Sequence, residues 1–447
     1  MINDGRLKSS FQVDFTLSTL FTVACLLLIY ASIVPLGFRP IPIQEAIERW
    51  GAIPWLRLDI YRRSDWIANG IVVVPVAFLL CGALSFKVQS KFLVFVNSLL
   101  AVGLVCLLVI CIEFLQIWFP RRTLSKNDML AGCLGSVVGG FSWLLFGKRL
   151  TREIELACRS PIKAERVSRI AFVLSLFAVF HMLFPFDFVT SLGELSKKYS
   201  MGGSSKTVFW NLIGLPIDWI DIFRNFFRYI PLGVWYACSR GKRSCVFFYL
   251  LLPFCLELLQ FFLFSRNASV MDAFVGGLGI LLGSRINFNN LACRVKAVSK
   301  PLVFFFLLCY FSIFLFATLS KAESFVANFD QIRSRFGLFF PVPLSRYYLK
   351  SEFAAFNLVF SKLVAFVPIG FLLGRLFDTS EEGRRIWVVV LSSAVLGILL
   401  ELLQVFTPPL IPDFWDAIVY AFGGLVGFHF LQTTLMNAEP DAYTACS

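Results

Sequence analysis

The sequence predicts an all-α protein, a polytopic bundle of transmembrane helices. Three observations carry this. Of the 447 residues 58% are hydrophobic and 15% charged, where a soluble domain holds about 45–50% apolar and about 25% charged residues. Apolar runs of the roughly 20 residues needed to cross a bilayer recur about twelve times, near 16–36, 67–86, 92–119, 128–146, 170–188, 222–238, 246–264, 271–284, 301–319, 356–376, 386–406 and 416–433. The third observation is a repeat. Glu113, Glu257 and Glu401 are spaced by 144 residues, and so are Gln116, Gln260 and Gln404; Asp128, Asp272 and Asp416; Gly135, Gly279 and Gly423; and Gly139, Gly283 and Gly427. A fixed period is the signature of tandem units. The expected organisation is therefore three parallel four-helix repeats, at 1–148, 149–292 and 293–436, followed by a polar tail at 437–447.

The elements of the first repeat set the pattern. Its first span is too long for a secretory signal h-region and has no small-residue cleavage pattern after it; it ends at Pro35 in "YASIVPLGF". The following stretch, "AIERWGAIPWLRLDIYRR", has the composition of a Trp-anchored amphipathic piece at the interface or of an ordinary loop. The second span opens with "DWIANGIVVVPVAF", carrying Asp65, Asn69 and Pro75. The third ends in "CIEFLQIWFPRR", which places Glu113 and Gln116 on one helix face. A carboxylate inside a span costs about 2.5–3.5 kcal/mol at its centre, so Glu113 should face the bundle interior or a water-filled cleft. There it suits general acid–base work, with Gln116 holding its rotamer. Arg122 follows, and a guanidinium at the bilayer surface is well shaped for phosphate. Asp128 opens the fourth span, where it can accept from free backbone N–H groups. Gly135 and Gly139 form a small-xxx-small face for close helix packing, expected against the helix that carries Glu113.

The second repeat retains this set. "FHMLFPFDF" holds Pro185, "DIFRNFFRYIPLGV" holds Asn225 and Arg228, and "CLELLQFFLFSR" brings Glu257, Gln260 and Arg266 ahead of Asp272. "KKYSMGGSSK" between its first two spans is an expected flexible turn. The third repeat has thinned. "LVFSKLVAFVPIGF" places Leu358 and Lys362 where the Asp and Asn stood, and Leu410 stands where Arg is expected. It keeps Glu401, Gln404 and Asp416 and adds Asp413, and reads as a degenerate third site. In all three units the ends of spans one and three and the starts of spans two and four share one face of the membrane, so the polar residues should converge there. The competing reading is interhelical hydrogen bonding without chemistry, worth about 0.6 kcal/mol per bond. His181 and His429 do not recur and are expected to be structural.

The net charge of +13 is scattered through loops, which excludes a basic nucleic-acid-binding domain. Loops on the side of both termini are the denser in Lys and Arg, and the positive-inside rule places that side in the cytoplasm. Twelve scattered cysteines without a C-x-x-C pair fit small core residues rather than a disulfide framework or a metal site. No cofactor is implied.

The motif set resembles the VanZ-like family, four-span domains with N-x5-P-x-G at the second span, E-x2-Q on the third, and then R-x2-D/S-x2-D and N-x2-G-x3-G. The likeness covers nearly the whole chain as three copies. It departs at Gly132, Gly276 and Tyr420, which replace an Asn, at Ala77 in the first unit, and at the missing Arg of the third. The family takes its name from a protein linked to teicoplanin resistance, and members occur beside envelope polysaccharide genes. It has been grouped with enzymes acting on lipid head groups, such as phosphatidylserine synthases. The resemblance therefore implies a multi-pass protein of the bacterial inner membrane whose partners are membrane lipids or lipid-linked envelope precursors. Arg122, with Arg266, Asn69, Asn225 and Arg228, would hold the head group. Glu113 or Asp128, and Glu257 or Asp272, would move a proton. A non-catalytic protein that shields precursors and a transporter are the alternatives.

Overall fold

The computed structural model describes residues 2–159, 163–201, 219–238, 246–286, 288–320, 322–326, 328–343, 345–348, 352–377 and 381–435. The expected tail at 437–447 and the second half of "KKYSMGGSSK" lie outside them. Among the described residues there are helices and no strands; the one bridge is an isolated pair between Phe188 and Leu263.

The first segment contains α1 (Ile2–Ile33), the short α2 (Ile43–Gly51), α3 (Ile60–Ser85), α4 (Lys91–Leu115), α5 (Lys126–Ser142) and α6 (Lys148–Arg159). Two of these helix starts have a visible local cause. Asp59 accepts from the Arg62 N–H at 3.0 Å to open α3, and Ser90 accepts from Leu93 to open α4; both satisfy donors that the first turn leaves free. Next come α7 (Lys163–Leu183), α8 (Leu192–Met201), α9 (Trp219–Cys238), α10 (Val246–Phe261) and α11 (Val270–Arg285). The last segment holds α12 (Phe288–Ala297), α13 (Lys300–Leu319), α14 (Phe329–Gly337), α15 (Ser345–Tyr348), α16 (Glu352–Leu376), α17 (Glu382–Val405) and α18 (Asp416–Leu435).

Nine of the described helices are long and apolar enough to cross a membrane: α1, α3, α4, α5, α7, α13, α16, α17 and α18. The other three expected spans coincide with α9, α10 and α11. The last two have 16 residues each, short of a full crossing, and α9 carries Arg224 and Arg228 in its first turns.

The chain divides into two compact units, Met1–Arg285 and Ile286–Ser447. Within the first unit, Arg63 at the start of α3 pairs with Glu194 of α8 at 2.9 Å and donates to the Phe188 carbonyl at 2.8 Å. In the second unit Phe366, Ile369, Val389, Leu400, Tyr420 and Phe428 form a buried core between α16, α17 and α18.

The Gly-x3-Gly faces do not meet the Glu-bearing helices, contrary to expectation. A methyl added at Gly135 would lie 2.1 Å from the Gly70 carbonyl of α3, at Gly279 2.3 Å from Phe226 of α9, and at Gly423 2.3 Å from Leu363 of α16. In each case the two helices, α5 and α3, α11 and α9, or α18 and α16, are pressed together backbone to backbone. Bare Cα atoms permit that approach, which the bulky apolar faces of α4, α10 and α17 do not.

The loops that lead into the second spans carry exposed apolar side chains outside any span. Ile43, Ile47 and Trp55 are exposed around α2, as are Phe325, Phe329 and Phe336 around α14. Exposed rings and aliphatic groups beside charged residues suit the membrane interface, so the amphipathic reading of "AIERWGAIPWLRLDIYRR" has the better support.

Candidate functional site

The three glutamates are all buried near the C-terminal ends of their helices: Glu113 on α4, Glu257 on α10 and Glu401 on α17. Each lies within electrostatic reach of the aspartate that begins the next helix, Asp128, Asp272 or Asp416. The Glu and Asp columns therefore do meet, at one end of each helix group. The side chains around them differ.

In the first group, Ser125 is the cap of α5. Its hydroxyl accepts from the Asp128 N–H at 3.1 Å and donates to the Asp128 carboxylate at 2.6 Å. The expected capping role of Asp128 is thus taken by the residue three positions earlier. Asp128 is left free to accept from the Asn69 amide at 3.0 Å. Glu113 has Arg122 within electrostatic reach. Its Oε2 is buried with no hydrogen-bond partner. Gln116 does not orient it. The Gln116 amide donates instead to the Ser32 carbonyl at 3.0 Å. That carbonyl belongs to the last turn of α1, where the chain breaks at Pro35 and the usual intrahelical donor is lost.

In the second group, Glu257 accepts from the Ser269 backbone N–H at 2.9 Å, and Asp272 is capped by Ser269 as Asp128 is by Ser125. Arg228 donates to the Asn225 side chain at 3.0 Å and lies within reach of Glu257 and Asp272. Arg266 has another occupation. Its Nε donates to the Phe184 carbonyl at 3.0 Å and its Nη2 to that of His181, closing the end of α7. Burial and the neighbouring Arg228 and Arg224 push Arg266 down to about 10. The guanidinium nearest the carboxylates that is not engaged with α7 is Arg228.

The third group, expected to be degenerate, holds three charge contacts of its own, Lys362 with Glu401 and with Asp416, and Arg346 with Asp413. Lys362, six residues before Pro368 as Asn69 is before Pro75, lies 3.6 Å from Glu401 and is ion-paired to Asp416. It makes the contact to the aspartate that Asn69 makes in the first group, with a charge added. Glu401 also accepts from the Asp413 N–H at 3.0 Å and from the Tyr420 hydroxyl at 2.9 Å, so every oxygen is used. Asp413 occupies the column of Ser125 and Ser269 and caps α18 by accepting from Trp415 at 3.0 Å. Tyr347 donates to Asp416, and Arg346 stands 3.8 Å from Asp413. Burial raises the Asp413 carboxyl, with Asp416 adding to it.

Tyr420 stands in the column of Gly132 and Gly276. It fits because Gly397 leaves room on α17; a methyl at Gly397 would lie 2.3 Å from its ring. In the second group the space over Gly276 is filled from α9 by Tyr229, buried and within reach of Glu257. A phenol thus flanks the glutamate in two groups from two different helices, while the first group has Gly132 in the column of Tyr420 and Val73 in that of Tyr229.

Sequence reasoning missed a further pair. Lys198 of α8 donates to the Gln260, Phe261 and Leu263 carbonyls at 3.2, 3.0 and 2.7 Å. Arg335 of α14 donates to the Gln404 and Val405 carbonyls at 2.7 and 2.6 Å and to that of Leu410. Both cap the orphan carbonyls that end a Glu-bearing helix. Burial pushes Lys198 down to about 8. In the first group the Arg39 N–H serves, donating to Trp118 at 2.8 Å. A basic residue in each loop before the second span was the available signal, and the differing loop lengths hid it.

Residues 302–435 match the family model of VanZ/LLP1. The matching stretch is the segment expected to be degenerate. No curated protein and no solved structure matches the chain.

Proposed function

We propose that the chain is a multi-pass protein of the bacterial inner membrane made of three tandem VanZ-like four-helix units, about twelve spans in all. In this reading it binds or acts on lipid head groups, or on lipid-linked envelope precursors, at the outer face. The observation that carries it is the buried glutamate at 113 and at 257, placed at the end of its helix beside a second carboxylate and a guanidinium. Charged groups at that depth are costly unless they meet a polar partner, and head-group phosphates and amines are the polar partners a membrane offers there.

The roles follow from the contacts. Arg122 and Arg228 hold phosphate, while Glu113 and Glu257 accept or return a proton, each with its aspartate. Asn69 and Asn225 position their neighbours. Gln116 and Arg266 belong to the scaffold, since both are spent on carbonyls at the end of a first span. The third group, with its carboxylates paired internally, is structural. Binding without turnover is a second reading, favoured by the number of expected site residues that hold backbone instead.

The test is lipid and envelope-precursor profiling of cells carrying wild type or the Glu113→Ala, Glu257→Ala double variant at equal expression. A changed head-group profile is expected. Identical profiles with an envelope phenotype that persists would remove the enzymatic reading. Fluorescent fusions at the C-terminal end report the side of the tail, expected to be cytoplasmic.

A further inference from the structure

The first and third groups present the same two carboxylates around different centres. In the third, the Lys362 ammonium lies between Glu401 and Asp416, with the Tyr347 and Tyr420 rings 5.8 and 5.9 Å from its nitrogen. Two anions and two aromatic faces make a full ammonium site, and the chain fills it with its own side chain. In the first group the corresponding carboxylates are Glu113 and Asp128, and the corresponding helix position carries Asn69. The register is the same in both. The residue after Asn69 and the residue after Lys362, Gly70 and Leu363, each set their carbonyl against the first glycine of the Gly-x3-Gly face, Gly135 and Gly423.

Asn69 and Ser125 each donate to one oxygen of Asp128, and neither brings a charge. Glu113 is 8% exposed, and its Oε2 has no hydrogen-bond partner. An oxygen of Asp65, one turn before Asn69 and within electrostatic reach of Asp128, is likewise buried without a partner. Arg122 is the cation within electrostatic reach of Glu113. Three carboxylates thus share this end of the first group, two of them with an unsatisfied buried oxygen. Buried acceptors of this kind call for a donor, and a positive one is favoured over a neutral one.

We infer that the carboxylate cluster of the first group takes the ammonium group of an amine-bearing ligand between Glu113 and Asp128, in the place that Lys362 fills in the third. This rests on the head-group reading and sharpens it: the ligand of the first group carries a primary amine. An aminoethyl lipid head group and a free small amine share that chemistry. Arg122 beside the carboxylates suits a ligand that also bears phosphate.

The inference is tested on the full-length protein purified in detergent. The melting temperature is measured with ethanolamine hydrochloride, with short-chain phosphatidylethanolamine and with short-chain phosphatidylglycerol, against sodium chloride at matched ionic strength. The amine-bearing probes are expected to raise it and phosphatidylglycerol is not. Asn69→Lys, which supplies an internal ammonium, should abolish the response. Glu113→Gln changes no volume and should abolish it too, so the test does not depend on the lysine variant folding. Stabilisation by phosphatidylethanolamine but not by ethanolamine assigns the amine to a lipid. Stabilisation by ethanolamine alone, lost in Glu113→Gln, keeps the ammonium site and removes the lipid head group as its source. Equal responses to both lipids, lost together in Glu113→Gln, would overturn the ammonium inference and leave head-group binding standing. No response to any probe, or one that Glu113→Gln retains, would overturn the inference outright.

Discussion

Replacing Lys362 by Met should be among the most damaging single changes to the third group. The side chain is a quarter exposed, while Glu401 is fully buried and Asp416 nearly so. At 3.6 Å and an effective dielectric of about 20, the Lys362–Glu401 attraction alone is about 4–5 kcal/mol before desolvation is subtracted. Removing one partner of a buried pair leaves the other charge uncompensated, at about 3–5 kcal/mol. Because part of the lysine side chain is exposed, the expected loss is near the lower bound, about 3 kcal/mol. Methionine matches the lysine stem in length, so packing is kept and the loss reports charge. The assay is unfolding of the detergent-purified protein, run as a double-mutant cycle with Asp416→Asn. The double variant should recover part of the loss, with a coupling energy of about 1–3 kcal/mol, as expected for contacting residues. A Lys362→Met protein as stable as wild type, or a cycle coupling below about 0.5 kcal/mol, would refute the argument that the lysine neutralises this cluster.

Three further outcomes are expected. Glu113→Gln should leave stability nearly unchanged, because the altered oxygen has no partner to lose, whereas Glu401→Gln breaks an ion pair and disturbs two hydrogen bonds and should cost about 2–4 kcal/mol; equal losses by thermal unfolding would contradict the difference between the two sites. Gly135→Ala puts a methyl 2.1 Å from the Gly70 carbonyl and should force α3 and α5 apart at a cost of about 1–3 kcal/mol; a neutral effect on the melting temperature would show that the contact is looser than described. The third concerns pH. The Arg63 guanidinium and the Thr190 N–H hold the Glu194 carboxyl down at about 2. A depressed carboxyl contributes stability that is present above its ordinary range and is lost as pH falls toward the folded value. Arg63→Met should therefore move the acid-induced change in tryptophan fluorescence to higher pH, and an unmoved acid limb would count against the pairing.

Much of the site was legible because a period of 144 residues repeats the chemistry with it. The Glu and Asp columns meet as their spacing implied, since one residue ends a helix and the other begins the next across a short turn. The partners of these groups were not legible. Gln116 stands one turn after Glu113 on the same face, yet its amide goes to Ser32, because the end of α1 supplies an orphan carbonyl that only the packed bundle brings near. Arg266 goes to α7 for the same reason. The Gly-x3-Gly motif announced a close helix contact but could not name the helix, since nothing in the motif records which backbone lies opposite.

The third segment shows the division most plainly. By sequence it had lost its Asn and its Arg, and it looked like a worn copy. In the folded chain Lys362 occupies the Asn position and reaches both carboxylates, Asp413 replaces the capping serine, and Tyr420 fills the room left by Gly397. Hydropathy, helix content and the columns of acidic and small residues were determined by the sequence alone, because periodicity and transfer energy are properties of a segment. Which cation neutralises which carboxylate was decided only by tertiary structure. A charge pair depends on distances of a few ångströms between helices far apart in the chain, and those distances are set by packing.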